Sequence, residues 1–180
     1  MKLSSQLLSV PFILAAACSS ESETQAPSPP AIPASSLSYI DGMVPHHQGA
    51  IDMANEEVER GASPNVMAMA MMMIDKQQQE IELLEGIREQ MAGSPDVAPV
   101  DDPHMATDMA ELQSLSGADL DVAFLNNMIP HHASAVVMSH RALPNLDRSD
   151  LVDFAHQTID SQTDEMKKML DMKHELAPAD

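Results

Sequence analysis

Apolar residues recur at steps of three and four in four long stretches of the chain, which is the spacing of an amphipathic α-helix. The first stretch ends at Gly61, and the second begins near Pro64, a favoured first-turn residue, and ends at Ala92. The third begins near Leu120, and the fourth covers 151–176. Nothing in the pattern predicts a strand, so the sequence predicts an all-α protein. The repeating positions of the first stretch are Leu37, Ile40, Met43, Val44, His47, Ala50, Ile51 and Ala54.

The chain contains an internal sequence repeat. The sequence MVPHHQGAIDM at 43–53 returns as MIPHHASAVVM at 128–138, an offset of 85 residues. The same offset continues without a gap into the following helix, where it aligns Ile74, Asp75, Gln77 and Glu80 with Ile159, Asp160, Gln162 and Glu165. A constant offset over this length indicates duplication of a unit of about fifty residues.

Each unit predicts one helical hairpin, the first at 37–92 and the second at 118–176. Two such hairpins must bury their apolar stripes against each other, which predicts a four-helix bundle. The linker at 93–117 contains three prolines and a short helix-like run. It is long enough to cross from one end of a bundle to the other, as in ferritin-like topologies. We therefore expect 37–176 to form one ferritin-like domain.

Each repeat places a proline inside a helical pattern, Pro45 in the first and Pro130 in the second. A proline within a helix removes one N–H donor and costs about 3 kcal/mol. We expect a kink in each helix that carries a His-His pair, and a helix that simply begins at the proline is the alternative. Because the destabilising proline occurs at the same position of both repeats, it indicates that each helix needs a particular backbone geometry beside its His-His pair.

On a helical wheel, each His-His pair and its flanking methionines share an arc of about 120°. This is the face that the apolar pattern assigns to the core. The candidate metal ligands are therefore Met43, His46, His47, Met53, Met128, His131, His132 and Met138. Gln77 lies within the apolar stripe of the next helix, so it needs a buried hydrogen-bond partner such as an imidazole. The residues expected to orient the ligands are Asp75, Gln77, Glu80, Asp160, Gln162 and Glu165.

Imidazole combined with thioether favours copper, especially Cu(I), over Mg²⁺ or Ca²⁺, and zinc gains little from methionine. Core packing is the simpler alternative, because the chain has sixteen Met but no Trp, one Tyr and three Phe. The sequence leaves open whether the two His pairs meet in one site or form two. It also leaves open a second Cu(I) patch or a packing role for Met67, Met69, Met71, Met72 and Met73.

The N-terminus predicts export. An apolar run too short to span a bilayer ends in Leu-Ala-Ala-Ala before Cys18, the only cysteine. This resembles a bacterial lipobox, so we expect 1–18 to be a lipoprotein-type signal with Cys18 lipidated; an ordinary cleaved signal is the alternative. Residues 19–36 are rich in Ser, Pro and Glu and predict a disordered tether. We expect the protein to face the periplasm from a lipid anchor, with Ser19 favouring the outer membrane.

The charge of the chain limits its partners. The net charge is −19, from 28 acidic and 9 basic residues, and no basic cluster is present. A nucleic acid would need such a cluster, so we exclude this class of partner and expect a metal ion instead. The negative charge attracts cations in general. The sequence does not indicate an oligomeric state.

The duplicated motif resembles the signature of the bacterial family called domain of unknown function 305. The matching segments are 43–53 with 74–81 and 128–138 with 159–166, and the resemblance covers about 37–176. It implies an exported, often lipid-anchored protein with a ferritin-like four-helix bundle. It also implies copper binding by His46, His47, His131, His132 and the flanking methionines, because some members are periplasmic copper-binding proteins.

The leading function is therefore the capture or buffering of copper in the periplasm, or resistance to copper, without catalysis. A ferritin-like metal-dependent oxidase usually needs Glu-x-x-His motifs, and the nearest segment here is Asp171-x-x-His174, which is not duplicated. A hydrolase lacks a Gly-x-Ser-x-Gly motif. The other alternative is an envelope structural or stress-interaction protein in which the His pairs have no ligand.

Overall fold

The computed structural model describes residues 35–98 and 103–176. It contains helices α1 (Ser36–Arg60), α2 (Pro64–Ala92), α3 (Pro103–Ser114), α4 (Ala118–Ala142) and α5 (Ser149–Leu176), with a short 3₁₀ turn at Leu143–Asn145. Cys18 with its predicted signal segment, and all but the last two residues of the predicted tether, lie outside the described residues. None of the helices in the described part is long and apolar enough to cross a membrane.

Local sequence signals define the helix ends. Ser35 caps α1 through a capping box in which the side chains of Ser35 and Ser38 exchange bonds with each other's backbone N–H. Ser63 caps α2, and Pro64 fills its first turn. Gly93 ends α2 at φ 76°, a left-handed conformation that glycine adopts without steric cost. The connections between α1 and α2 and between α4 and α5 are short, so each pair of helices packs side by side as a hairpin.

The two hairpins pack through α1 and α4, and α3 lies against the same two helices. This confirms the all-α four-helix bundle of two repeated hairpins. Pro45 lies inside α1 and Pro130 lies inside α4, and neither helix starts at its proline. The carbonyl groups of Asp41 and Asn126 therefore have no N–H partner four residues later.

The core has two clusters separated by a polar layer. Along every long helix, the buried residues pass from one cluster to the other at mid-length. The first cluster is rich in methionine and includes Met53, Met69, Met73, Met128 and Met169, with Phe124. The second contains Tyr39 and Phe154 with mainly aliphatic residues. The residues at the change of cluster, which we call the polar layer, are His46, His47, Gln77, Glu80, His131, His132, Gln162 and Glu165.

Two loop contacts repeat the internal symmetry. The Asp121 carboxylate accepts from the N–H groups of Ala62 and Ser63 at 2.8 and 3.0 Å, which holds the α1–α2 loop. Ser36, at the position equivalent to Asp121, accepts from the N–H of Asp147 at 3.2 Å in the α4–α5 loop. Each hairpin therefore fixes the loop of the other, although the two side chains differ chemically.

Glu57 is a buried carboxyl group without an equivalent in the second repeat, where Ala142 takes its place. Burial and the neighbouring Asp121 carboxylate raise the pKa of Glu57 from 4.5 to about 8. The folded state therefore holds this proton more tightly than the unfolded state. The stability from the protonated group is fully present below pH 4.5 and is lost as pH rises through about 8.

Glu57→Gln should remove this loss, because an amide stays neutral. We expect the variant and the parent protein to unfold at similar denaturant concentrations at pH 5. At pH 9 the variant should be more stable by about 1–3 kcal/mol, because each pKa unit of the shift corresponds to at most about 1.4 kcal/mol. Urea denaturation at both pH values measures the difference. Glu59→Gln, at an exposed position on the same helix, is the control and should show no such pH-dependent gain.

Candidate metal centre

The two His-His pairs meet in the middle of the bundle. The rings of His46 on α1 and His131 on α4 stack with centroids 3.8 Å apart and planes inclined by 35°. Because each ring comes from a different repeat, the duplication builds one shared histidine layer and not two distant clusters. The sequence had left this question open, since it depends on how α1 crosses α4.

The second histidine of each pair is fully buried and faces a glutamate of the neighbouring helix. His47 Nε2 lies 2.9 Å from Glu80 Oε2, and His132 Nε2 lies 2.9 Å from Glu165 Oε2. The second contact has hydrogen-bond geometry, whereas the first is close without that alignment. These contacts orient both rings through Nε2, and the Nδ1 atom of each ring is buried.

Most of the imidazole nitrogens in this layer are buried without a hydrogen-bond partner among the described residues. His46 Nε2 contacts Ser134 Oγ at 2.6 Å, but its Nδ1 has no partner. Both nitrogens of His131 and the Nδ1 atoms of His47 and His132 are also unpartnered. A buried polar atom left without a partner costs about 1–3 kcal/mol. Several such atoms in one layer indicate a site for a ligand that binds the lone pairs of imidazole nitrogens.

The electrostatics keep the stacked pair neutral. Burial, followed by the neighbouring histidines His47 and His132, lowers the pKa of His46 to about 3. Burial and the same cluster lower the pKa of His131 well below its usual value. The neutral ring is the form that binds a metal ion, so these two groups do not have to lose a proton first at neutral pH. Although burial raises the pKa of Glu165, its bonds from His132 and Lys76 bring it below the usual value.

The four predicted thioethers lie on both sides of the histidine layer. Met53 and Met128 belong to the methionine-rich cluster, whereas Met43 and Met138 belong to the other cluster. Each repeat therefore contributes one methionine to each side. Met43, Met53 and Met128 are fully buried, and Met138 is half-buried with its sulfur against Gly42.

Only some of the residues expected to orient the histidines contact them. Glu80 and Glu165 reach the histidines, but the side-chain carbonyls of Gln77 and Gln162 have no hydrogen-bond partner among the described residues. These two amides are buried in the polar layer, 2% and 1% exposed. Asp75 and Asp160 are exposed on the bundle surface. The helical pattern placed Gln77 in the apolar stripe of α2, but only the packing showed that the glutamates and not the glutamines reach the histidines.

The methionine run of α2 divides between the interior and the surface. Met69 and Met73 are in the core, whereas Met71 and Met72 are 55% and 64% exposed. Met67 is half-buried. The five side chains therefore do not converge on one point. Met69 and Met73 pack in the core, whereas Met71 and Met72 face the surface.

Within the described part of the chain, no three His, Cys, Asp or Glu side chains are arranged to enclose a metal ion. A metal ion bound in the polar layer would therefore need thioether ligands, a rearrangement of the stacked rings, or both. Two contributors to the layer escaped sequence reasoning. Ser134 and Lys76 stand where the other repeat has Gly49 and Ser161, so a break in the repeat was the only available signal.

Fold and site together define a duplicated four-helix bundle with a histidine layer between two core clusters. The chain belongs to the DUF305 family: the family model, described as Domain of unknown function (DUF305), matches residues 18–88 and 87–173. This confirms the resemblance of the duplicated motif. No curated protein sequence matches the chain.

Solved structures share this fold. The chain is similar to CopM in the Cu(II)-bound form, with a TM-score of 0.72 and 28% identity over 79% of this chain and 98% of that one. CopM in the Cu(I)-bound form gives a TM-score of 0.69 and 27% identity over 80% and 99%. A DUF305 fragment from Deinococcus radiodurans gives a TM-score of 0.71 and 25% identity over 82% and 99%.

Proposed function

We propose that this protein binds copper in the polar layer, most strongly as Cu(I), through the histidines of both repeats and the flanking methionines. The observation that carries the proposal is the group of buried imidazole nitrogens without partners, placed between thioethers on both sides. Nitrogen and thioether ligands together suit a soft cation, whereas Mg²⁺ and Ca²⁺ require oxygen ligands. The similarity to CopM, whose structures hold Cu(I), Cu(II) or silver, supports this choice of metal.

The biological role that we propose is capture and buffering of copper outside the cytoplasm, and thereby copper resistance. The N-terminal sequence supports this location, because its short apolar run and Cys18 match a lipoprotein signal followed by a tether. The acidic surface would raise the local concentration of cations around such an anchored domain. We propose a binding function and not an enzymatic one, since the His-Glu contacts hold the rings in place and no catalytic motif was found in the sequence.

Anaerobic titration of the apoprotein with Cu(I) in competition with a chromogenic chelator tests the proposal. We expect the protein to remove Cu(I) from the chelator and excess Zn²⁺ to leave the result unchanged. Binding should also raise the melting temperature, because free ligand at about a thousand times its dissociation constant stabilises the folded state by about 4 kcal/mol. Failure to remove Cu(I) from even a weak chelator would contradict copper binding. Oxygen consumption by the copper-loaded protein would instead favour an oxidase.

A further inference from the structure

Lys76 is a cation at the solvent-facing edge of the polar layer, between two of its glutamates. Its Nζ lies 2.7 Å from Glu165 Oε1 and 4.0 Å from Glu80 Oε1. The other oxygen of each glutamate is the one that faces His132 or His47 at 2.9 Å. A single ammonium group therefore connects to both buried histidines, each time through one carboxylate.

This arrangement breaks the internal symmetry of the protein. The glutamates and histidines occur in both repeats, but the position equivalent to Lys76 is Ser161. The Ser161 hydroxyl is buried and has no hydrogen-bond partner among the described residues. Two carboxylates thus share one internal counter-ion, and the half of the layer beside Ser161 lacks a cation of its own.

A groove between α2 and α5 opens to solvent beside Lys76, Glu80 and Ser161. It has a volume of about 400 Å³ and is lined by Lys76, Glu80, Gln157, Asp160, Ser161 and Asp164. Its carboxylates outnumber its single ammonium group, so the groove attracts cations. The Lys76 side chain is 33% exposed, whereas Glu80 and Glu165 are 17% exposed. Lys76 is therefore the most accessible of the three side chains, and it already lines the groove.

We propose that Lys76 is a positioning residue that closes the entrance to the histidine layer, and that an incoming metal cation displaces its ammonium group from Glu80 and Glu165. This inference rests on the proposed function and names the entry route to the same site. In the apoprotein, the ammonium group offsets part of the charge of the two carboxylates and keeps them against the histidines. It also repels a second cation and must move before one can pass.

Replacement of Lys76 by methionine tests this role, because it removes the charge and keeps an unbranched side chain. Tyr39, the only tyrosine in a chain without tryptophan, reports binding by its fluorescence. Its ring lies 6.2 Å from Phe154, whose ring lies 6.2 Å from His47. The probe is Ag(I) in chloride-free buffer, a soft cation without redox chemistry, mixed with the full-length apoprotein in a stopped-flow instrument. A parallel series uses Cu(I) carried in acetonitrile, with the chelator competition as its readout.

We expect Lys76→Met to accelerate metal uptake by about tenfold at low ionic strength and less at high salt, as for other electrostatic effects on association rates. Lys76→Arg, which keeps the charge, should remain close to the parent rate, and Lys173→Met, at an exposed site on α5 beyond the groove, should not change it. An uptake rate for Lys76→Met that is equal to or below the parent rate would overturn the inference. If the methionine variant does not fold, Lys76→Gln provides the same test.

Failure of this inference is distinguishable from failure of the proposed function. A parent protein that binds neither Ag(I) nor Cu(I) would refute the proposed copper binding itself. A parent protein that binds them, with a Lys76→Met variant that is not faster, refutes only the entry role of Lys76. If Lys76 acted purely as a structural support, its loss in Lys76→Met or Lys76→Gln should weaken the equilibrium affinity for the metal. The entry role predicts unchanged or tighter binding in Lys76→Met.

Discussion

Replacing His46 and His131 together by leucine is expected to lower the affinity for Cu(I) by at least about a hundredfold, judging from the losses that follow the removal of even indirect supports of a metal site. Leucine approximately fills the volume of an imidazole but offers no ligand atom. The stacked rings contribute His46 Nδ1 and both nitrogens of His131 to the unpartnered set, so their loss removes much of the site. Competition with chelators of graded affinity measures the change.

The stability of the same variant without metal separates binding from packing. Removal of buried polar atoms without partners should leave the stability of the apoprotein unchanged or increase it. Ser134 keeps its hydrogen bond to the His131 carbonyl, so no new unpartnered hydroxyl results. Urea denaturation of the apoprotein makes this comparison. Unchanged Cu(I) affinity together with a clear loss of stability would show that the histidines serve only the architecture.

Cu(I) binding by the two single variants tests whether the polar layer is one metal site or two. If the two repeats share a site, His46→Leu and His131→Leu should each weaken all of the bound Cu(I). If each repeat binds metal separately, each single variant should leave half of the copper bound at the parent affinity. His140→Leu, at an exposed histidine near the end of α4, is the matched control and should leave the affinity unchanged.

Leu84→Ala is expected to destabilise the bundle by about 3–4 kcal/mol, within the range measured for fully buried leucines elsewhere. Leu84 is completely buried in the second core cluster, so its loss leaves a cavity that the surrounding side chains fill only in part. Adjacent Leu83 is 50% exposed, and Leu83→Ala should change stability by no more than about 0.5 kcal/mol. Urea denaturation compares two identical chemical changes at neighbouring positions of one helix.

Similar losses from Leu83→Ala and Leu84→Ala would contradict the assigned face of α2. The comparison also bears on the site, because Leu84 lies one turn beyond Glu80. If Leu84→Ala lowers stability but leaves Cu(I) affinity largely unchanged, the polar layer keeps its arrangement despite a weakened neighbouring cluster. This outcome is expected because helix and side-chain contacts on both sides of the layer hold it in place.

The abundance of methionine has two explanations in this protein, and the position of each residue separates them. Met69, Met73 and Met169 fill the interior of a bundle that has few aromatic residues, which is a packing role. Met53 and Met128 belong to the same cluster, but they follow or precede a His pair by less than two helical turns. One cluster can therefore serve the core and still supply thioethers to the polar layer.

Local and repeated features of the sequence were sufficient to predict the fold. The helical period, the turn residues between helices and the constant 85-residue offset predicted two hairpins that pack as a four-helix bundle. The apolar stripe around Gln77 was predicted to face inward, and Met73, Gln77, Ile81 and Leu84 are buried. These predictions succeed because helix formation and the direction of a helical face depend on residues within a few turns of one another.

The sequence by itself determined the all-α bundle, its duplication and the inward direction of at least one histidine of each pair. Only the tertiary structure decided that His46 stacks on His131, that Glu80 and Glu165 rather than the glutamines reach the histidines, and that Lys76 lies between the two carboxylates. The physical reason is one of distance along the chain. A helical period fixes which face a side chain occupies, but the crossing and axial register of helices between 33 and 89 residues apart fix which side chain it meets.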